Sequence, residues 1–251
     1  LCGDVGFGKT EVALRTMIRA VEQGYQTALV APTTILAYQH FQNFSARLRY
    51  LPIQVVFLSR LQSKKQQAID LEKIKTGKAD LIISTHRIFS SDVAFHNLGL
   101  LVIDDEQRFG VKQKEKLREL KTSLDVLSLS ATPIPRTLYM SLASLKNISI
   151  IQTPPEGRFP IHIIVQKRNE KVVREAIEKE IARKGQAYYL HNRIGTIALV
   201  TKQLGRLIPK ARIAVVHGRL HERELIRVMD EFRDKKYDVL VATTIIENGL
   251  D

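Results

Sequence analysis

Residues Gly3-Asp4-Val5-Gly6-Phe7-Gly8-Lys9-Thr10 constrain the fold more than any other stretch of the chain. They satisfy the spacing G-x-x-x-x-G-K-[ST], the pattern of a loop that wraps nucleotide phosphates. Gly3, Gly6 and Gly8 let the backbone bend so that successive N–H groups converge on phosphate oxygens. Lys9 supplies a point charge for the β- and γ-phosphates, and Thr10 a hydroxyl for Mg²⁺. The helix that follows aims its positive end at the same anion. Residues 11–23 read as that helix, with Val12, Leu14, Met17, Ile18 and Val21 apolar and Gly24 closing it. The loop set, from Gly3 through Asp4, Val5, Gly6, Phe7 and Gly8 to Lys9 and Thr10, is therefore expected to bind a nucleoside triphosphate with Mg²⁺. Only Leu1 and Cys2 precede Gly3, so the strand that should lead into the loop is missing and the chain looks cut at its first residue.

Beyond the loop, short apolar strands alternate with helices. Strands are expected over 26–31, 53–58, 81–84, 100–103 and 126–129, and helices over 34–50, 62–76 and 112–121. That alternation means a parallel sheet covered on both faces. Thr153-Pro154-Pro155-Glu156-Gly157-Arg158 has the composition of a linker. The alternation then restarts, with strands over 161–165, 187–190, 213–216 and 239–242 and helices over 170–183, 197–207 and 222–232. The fold class is α/β in two parallel-sheet units: 1–152, a linker at 153–160, and 161–251, the second incomplete at its C-terminal end. No short-period repeat is visible, and the two units are similar only in architecture.

The 251 residues suffice for one large or two ordinary domains, and 44% hydrophobic content supports a packed core. Lys and Arg outnumber Asp and Glu by 39 to 26, a net charge of +13 that points to a polyanionic partner, most naturally nucleic acid. A single cysteine, Cys2, excludes an internal disulfide framework and fits a reducing compartment. No apolar run approaches the roughly 18 residues of a membrane span. The chain has no Trp and only 6% aromatics, which favours tracking of a phosphate backbone over base stacking.

In open α/β sheets, ligands bind beyond the carboxyl ends of strands. Several polar clusters fall there. Asp104-Asp105-Glu106-Gln107 follows the apolar run 100–103. In an NTPase with such a phosphate loop, the first acid after such a strand holds Mg²⁺, directly or through water, and a second orients or deprotonates the attacking water. Ser130 and Thr132, in Ser-Ala-Thr-Pro, can relay the state of the terminal phosphate. Thr33, Thr34, Arg60, Thr85, His86, Arg87, His217, Thr243 and Thr244 are candidate contacts to the phosphate backbone of a nucleic acid.

The order of these motifs resembles the motor of superfamily 2 helicases and translocases, over nearly the whole chain. Arg108-Phe109-Gly110 after the acidic box and Ser130-Ala131-Thr132-Pro133-Ile134-Pro135-Arg136-Thr137 are similar to the branch formed by transcription-repair coupling factors and RecG-type branch-migrating helicases. The run 3–12, Pro32 to His40 and Ser59-Arg60 look closer to the coupling factors. The resemblance implies two RecA-like lobes, ATP-driven translocation on double-stranded DNA, and a bacterial cytoplasmic, nucleoid-associated protein. RNA polymerase and a nucleotide excision repair protein are implied partners, through regions outside this chain. Lys9, Asp104, Asp105, Glu106 and Gln107 are the implied catalytic set, and Thr10 and Asp104 the implied Mg²⁺ ligands. Two departures stand out. The family's box reads Asp-Glu-Glu followed by His or Gln, whereas Asp105 stands here where the second acid is Glu, unless the pair is Asp105-Glu106 with a gap. The chain also stops at Asp251, before the motif that carries the family's arginine finger. A RecG-like helicase and a nucleotide-gated binding module without efficient hydrolysis are the alternatives.

Overall fold

The structure is a computed structural model that describes residues 1–106, 109, 124–131, 147–157, 161–167 and 169–243. It comprises two compact units, Leu1–Phe159 and Pro160–Leu250.

In the first unit, β1 (Cys2–Gly3) feeds the glycine loop and α1 (Lys9–Glu22). Then follow β2 (Gln26–Val30), α2 (Thr34–Leu48), β3 (Val55–Leu58), α3 (Lys64–Lys75), β4 (Leu81–Ser84), a short 3-10 helix (His86–Phe89), β5 (Leu98–Asp104), β6 (Asp125–Leu129) and β7 (Ile150–Ile151). The five central strands are ordered β3-β4-β2-β5-β6, and every pairing is parallel. The strand that the sequence left no room for is present in miniature. Cys2 and Gly3 pair with Ile150 and Ile151, and Cys2 bridges to Ser130 just beyond β6.

The middle of the central strands is apolar because both faces are covered. Leu29, Leu81, Ile83 and Val102 point to one face, where α1 contributes Leu14 and Met17 and α2 contributes Phe44 and Leu48. Ala28, Val30, Ile82, Leu101 and Ile103 point to the other, against Ile74 of α3, Ile88 and Phe109. Each fully buried Leu, Ile or Phe contributes roughly 1.5–3 kcal/mol. Helix starts are capped: the Thr33 hydroxyl accepts from the N–H of Leu36, and the Ser63 hydroxyl from that of Gln66.

The second unit holds α4 (Glu170–Ala182), β8 (Ala187–Leu190), α5 (Ile194–Leu207), β9 (Ile213–Val216), α6 (Glu222–Arg233) and β10 (Val239–Ala242). Its sheet runs β8-β10-β9, again parallel, over a core of Ile177, Ile197, Leu204, Ile208, Val239 and Val241. The strand expected over 161–165 is not formed. Ile161, Ile163, Ile164 and Val165 are largely exposed. Their β-branched pattern fits a strand, but a strand also needs a partner edge, and no pairing engages them among the described residues. The helix expected over 112–121 lies outside the described residues.

The two units share more than architecture. Gln26, at the start of β2, donates to the carbonyls of Ile74 and Ala79 at 2.9 and 2.7 Å. Gln186, just before β8, donates to those of Phe232 and Tyr237 at 2.6 and 2.7 Å. Asp80 accepts from the N–H of Gln54 at 2.7 Å, and Asp238 from that of Arg212 at 2.8 Å. In each unit a glutamine at a strand start ties down the end of a helix and the turn after it, and an aspartate ties that turn to the neighbouring strand.

Helices α1 and α2 are also joined by charge. Glu11 accepts from Arg15 at 2.8 Å and from Arg47. These two guanidinium groups, Arg47 first, hold the Glu11 carboxyl down at about 2. A lowered folded-state pKa contributes stability above the unfolded value near 4.5 that is lost as pH falls toward 2. Glu11 and Arg47 are one-third and one-half exposed, so screening leaves about 0.5–1 kcal/mol. Arg47→Gln is accordingly expected to destabilise the protein by that amount at neutral pH. In chemical denaturation the difference should disappear near pH 2 and shrink at high salt; a difference that persists in acid would assign it to packing.

Candidate nucleotide-binding site

The loop that opens the chain has the backbone its glycines allow. Gly6 and Gly8 have φ of 73° and 86°, the left-handed region that favours glycine. Gly8 is also the residue from which α1 starts, and its carbonyl accepts from the N–H groups of Glu11 and Val12 at 3.0 and 3.2 Å. At Gly3 a Cβ would stand 3.2 Å from Ile151 Cβ, so β7 presses on the strand that carries the loop. Lys9 folds back over the loop, its Nζ donating to the carbonyls of Gly3 and Asp4 at 2.8 and 2.9 Å. The Asp4 carboxylate accepts from the N–H of Val5 at 2.7 Å. The ammonium thus sits at the mouth of a turn built to present backbone amides.

β6 connects this loop to the acidic box. The Ser130 N–H donates to the Leu1 carbonyl at 3.0 Å, and its carbonyl accepts from Gly3 at 3.2 Å. One residue earlier, the Leu129 carbonyl accepts from the N–H of Asp105 at 3.2 Å. One further back, Ser128 Oγ donates to Glu106 Oε2 at 2.8 Å. Three successive residues therefore touch the phosphate loop, Asp105 and Glu106. With strands about 4.8 Å apart, the ends of β1 and β5 stand roughly 10 Å apart across β6. That is a span for a terminal phosphate and its metal.

Asp104 is the last residue of β5, and its Oδ2 accepts from His40 Nε2 at 2.8 Å. His40 lies on α2 and is 2% exposed. Asp105 has φ 47°, a left-handed backbone at a non-glycine residue. The oxygen donors fit a hard cation: one hydroxyl, Thr10, and one carboxylate, Asp104, to be completed by phosphate oxygens and water, suit Mg²⁺. No cluster of three or more His, Cys, Asp and Glu suited to a metal occurs among the described residues.

The parallel sheet brings the remaining first-unit candidates to the same edge. Thr33 and Thr34 follow β2, with the Thr33 hydroxyl engaged in the cap of α2. Arg60 is exposed beyond β3. Thr85 is buried beyond β4, with His86 and Arg87 in the short 3-10 helix. Arg87 forms a two-pronged pair with Asp92 at 2.7 and 2.6 Å, and this guanidinium holds the Asp92 carboxyl below its ordinary range. Its charge is thus already matched within the protein. In the second unit His217 follows β9, its Nδ1 accepting from Arg219 N–H at 3.3 Å, and Thr243 follows the adjacent β10. Gln107, Thr132 and Thr244 lie outside the described residues. His40 and Ser128 were missed by sequence reasoning: one looks like a helix position, the other like a strand position.

The chain matches the DEAD/DEAH box helicase model over residues 1–141 and the helicase conserved C-terminal domain over residues 168–251. It is 51% identical to a transcription-repair-coupling factor of Haemophilus influenzae and 49% identical to that of Bacillus subtilis, each over all 251 residues. It spans only 22% and 21% of those proteins' lengths. Among solved structures it resembles RecG bound to a three-way DNA junction, with 34% identity, a TM-score of 0.75, and coverage of 100% of this chain and 34% of that one. The resemblance to the coupling factors and RecG thus holds along the whole chain, with RecG at lower identity. No helix among the described residues is long and apolar enough to cross a membrane. A phosphate loop, an acidic strand end one strand away and a second parallel α/β unit all agree with that assignment: the chain belongs to the DEAD/DEAH box helicases.

Proposed function

We propose that this chain is the ATP-hydrolysing motor portion of a double-stranded DNA translocase of the transcription-repair coupling type. The observation that carries the reading is β6, whose end touches both the phosphate loop and the acidic box. In this reading the two lobes are 1–152 and 161–251, joined by 153–160. The amides of Gly3 to Gly8 hold the phosphates of ATP, and Lys9 leaves the loop carbonyls to pair with the β- and γ-phosphates. Thr10 and Asp104 hold Mg²⁺, which when bound neutralises charge on the departing phosphate. Asp105 takes the proton of the attacking water, and Glu106, held by Ser128, assists. Ser130, Gln107 and Thr132 couple the reaction to movement. Thr33, Thr34, Arg60, Thr85, His86, Arg87, His217, Thr243 and Thr244 face the DNA backbone, with Arg87 able to do so only on leaving Asp92. RNA polymerase displacement and recruitment of a nucleotide excision repair protein, in the bacterial cytoplasm at the nucleoid, follow from the kinship with the coupling factors.

The test is ATP hydrolysis by the full-length protein with and without linear duplex DNA. Stimulation by linear duplex is expected, with binding that weakens steeply with salt as phosphate contacts release counterions. Equal rates with and without DNA would sink the motor reading. The RecG likeness supports a second reading, a branched-DNA helicase. Far stronger stimulation by forked or four-way DNA than by linear duplex would favour it.

A further inference from the structure

We propose that His40 is a positioning residue that orients the Asp104 carboxylate for Mg²⁺; the inference rests on the nucleotide-site reading above. A carboxylate turns easily about its last torsion, so an aspartate at a strand end can offer either oxygen over a wide range of twist. Here one oxygen is fixed. His40 Nε2 donates to Oδ2 at 2.8 Å, so that Oδ1 would be the oxygen offered to Mg²⁺. The imidazole cannot follow the carboxylate around. It is 2% exposed, on the inner face of α2, and its ring lies tilted against Phe44 with centroids 5.8 Å apart. Phe44 is itself a core residue, 1% exposed.

His40 reaches the single carboxylate assigned to the metal, 64 residues away in sequence. Partners of metal ligands of this kind, when removed, cost about 10–100-fold in metal affinity or activity. Asp104 is 14% exposed, so the pair is shielded enough for that bond to hold its geometry.

The experiment is the Mg²⁺ dependence of nucleotide binding by the full-length protein. It is read from the fluorescence of a mant-labelled ADP, with affinity in EDTA measured in parallel. His40→Leu removes the donor; its Mg²⁺ midpoint is expected to rise about tenfold, while affinity in EDTA stays within about twofold. His40→Gln places an amide nitrogen where Nε2 stood and is expected to recover most of the shift. His40→Asn, whose amide falls short, is expected to behave like leucine. An unmoved midpoint in His40→Leu, or equal loss with and without Mg²⁺, overturns the proposal. So does a lowered melting temperature as the sole effect. Should the leucine variant fail to fold, equal midpoints for the glutamine and asparagine variants overturn it instead. Lys9→Ala separates the two levels. Full nucleotide affinity in that variant would remove the nucleotide site itself, and the role of His40 with it. Lost affinity there, beside unmoved midpoints in the His40 variants, removes His40 alone.

Discussion

Lys9→Ala in the full-length protein is expected to lower DNA-stimulated ATP hydrolysis by at least about 10³-fold, equivalent to some 4 kcal/mol of barrier. The reason is where the ammonium sits. Its Nζ lies 2.8 and 2.9 Å from two loop carbonyls, so it is already held at the mouth of the turn whose amides would bind phosphate. From there a short swing off the two carbonyls brings it to the β- and γ-phosphates, where its charge offsets the negative charge that builds on the terminal phosphate. Alanine removes that charge and offers nothing in its place. The fold should barely notice. One of the two bonds is exposed and the other only partly buried, so their loss is expected to cost no more than about 1 kcal/mol. Phosphate release at saturating linear duplex, measured beside the melting temperature, checks both halves. A variant that keeps more than about a tenth of the rate would mean that this loop is not where ATP is turned over.

The loop and the acidic box were legible in the sequence for a physical reason. Each is a local pattern: glycines that allow left-handed backbone, and acids directly after an apolar strand. Parallel-sheet alternation was legible for the same reason, since β2 is a largely apolar run between α1 and α2, and β3 one between α2 and α3. What could not be read were bonds that join distant segments. Ser128 looks like any strand residue until β6 is set beside β5, where it meets Glu106. His40 sits in a helical stretch, and nothing near it announces a carboxylate partner 64 residues on. The shared glutamine clamps at Gln26 and Gln186 are invisible without the helices they tie down. Arg87 shows the converse. As a basic residue at a strand end it reads as a phosphate contact, yet Asp92, only five residues on, takes both of its prongs. At 161–165 the sequence carried strand propensity but no statement of which edge would receive it.

The position where local preference and chemistry meet is Asp105. Its φ of 47° lies in a region where Asn and Asp are several-fold enriched and longer side chains are uncommon. The backbone is pinned there by the bond from its N–H to Leu129 on β6. A shorter acid than the Glu of the motif it resembles therefore suits this turn, at the cost of one methylene of reach. Two substitutions separate the effects. Asp105→Asn keeps shape and backbone preference and removes the base. Turnover is expected to fall about 10²–10⁴-fold with little change in melting temperature. Asp105→Glu restores reach but strains the turn. Turnover is expected to stay within about tenfold of the parent or to rise, while stability drops by about 1 kcal/mol. A large fall in turnover with Glu would mean that the water is held for the shorter acid. Undiminished turnover with Asn would move the base to Glu106, already oriented by Ser128, and Glu106→Gln would then be the variant that fails.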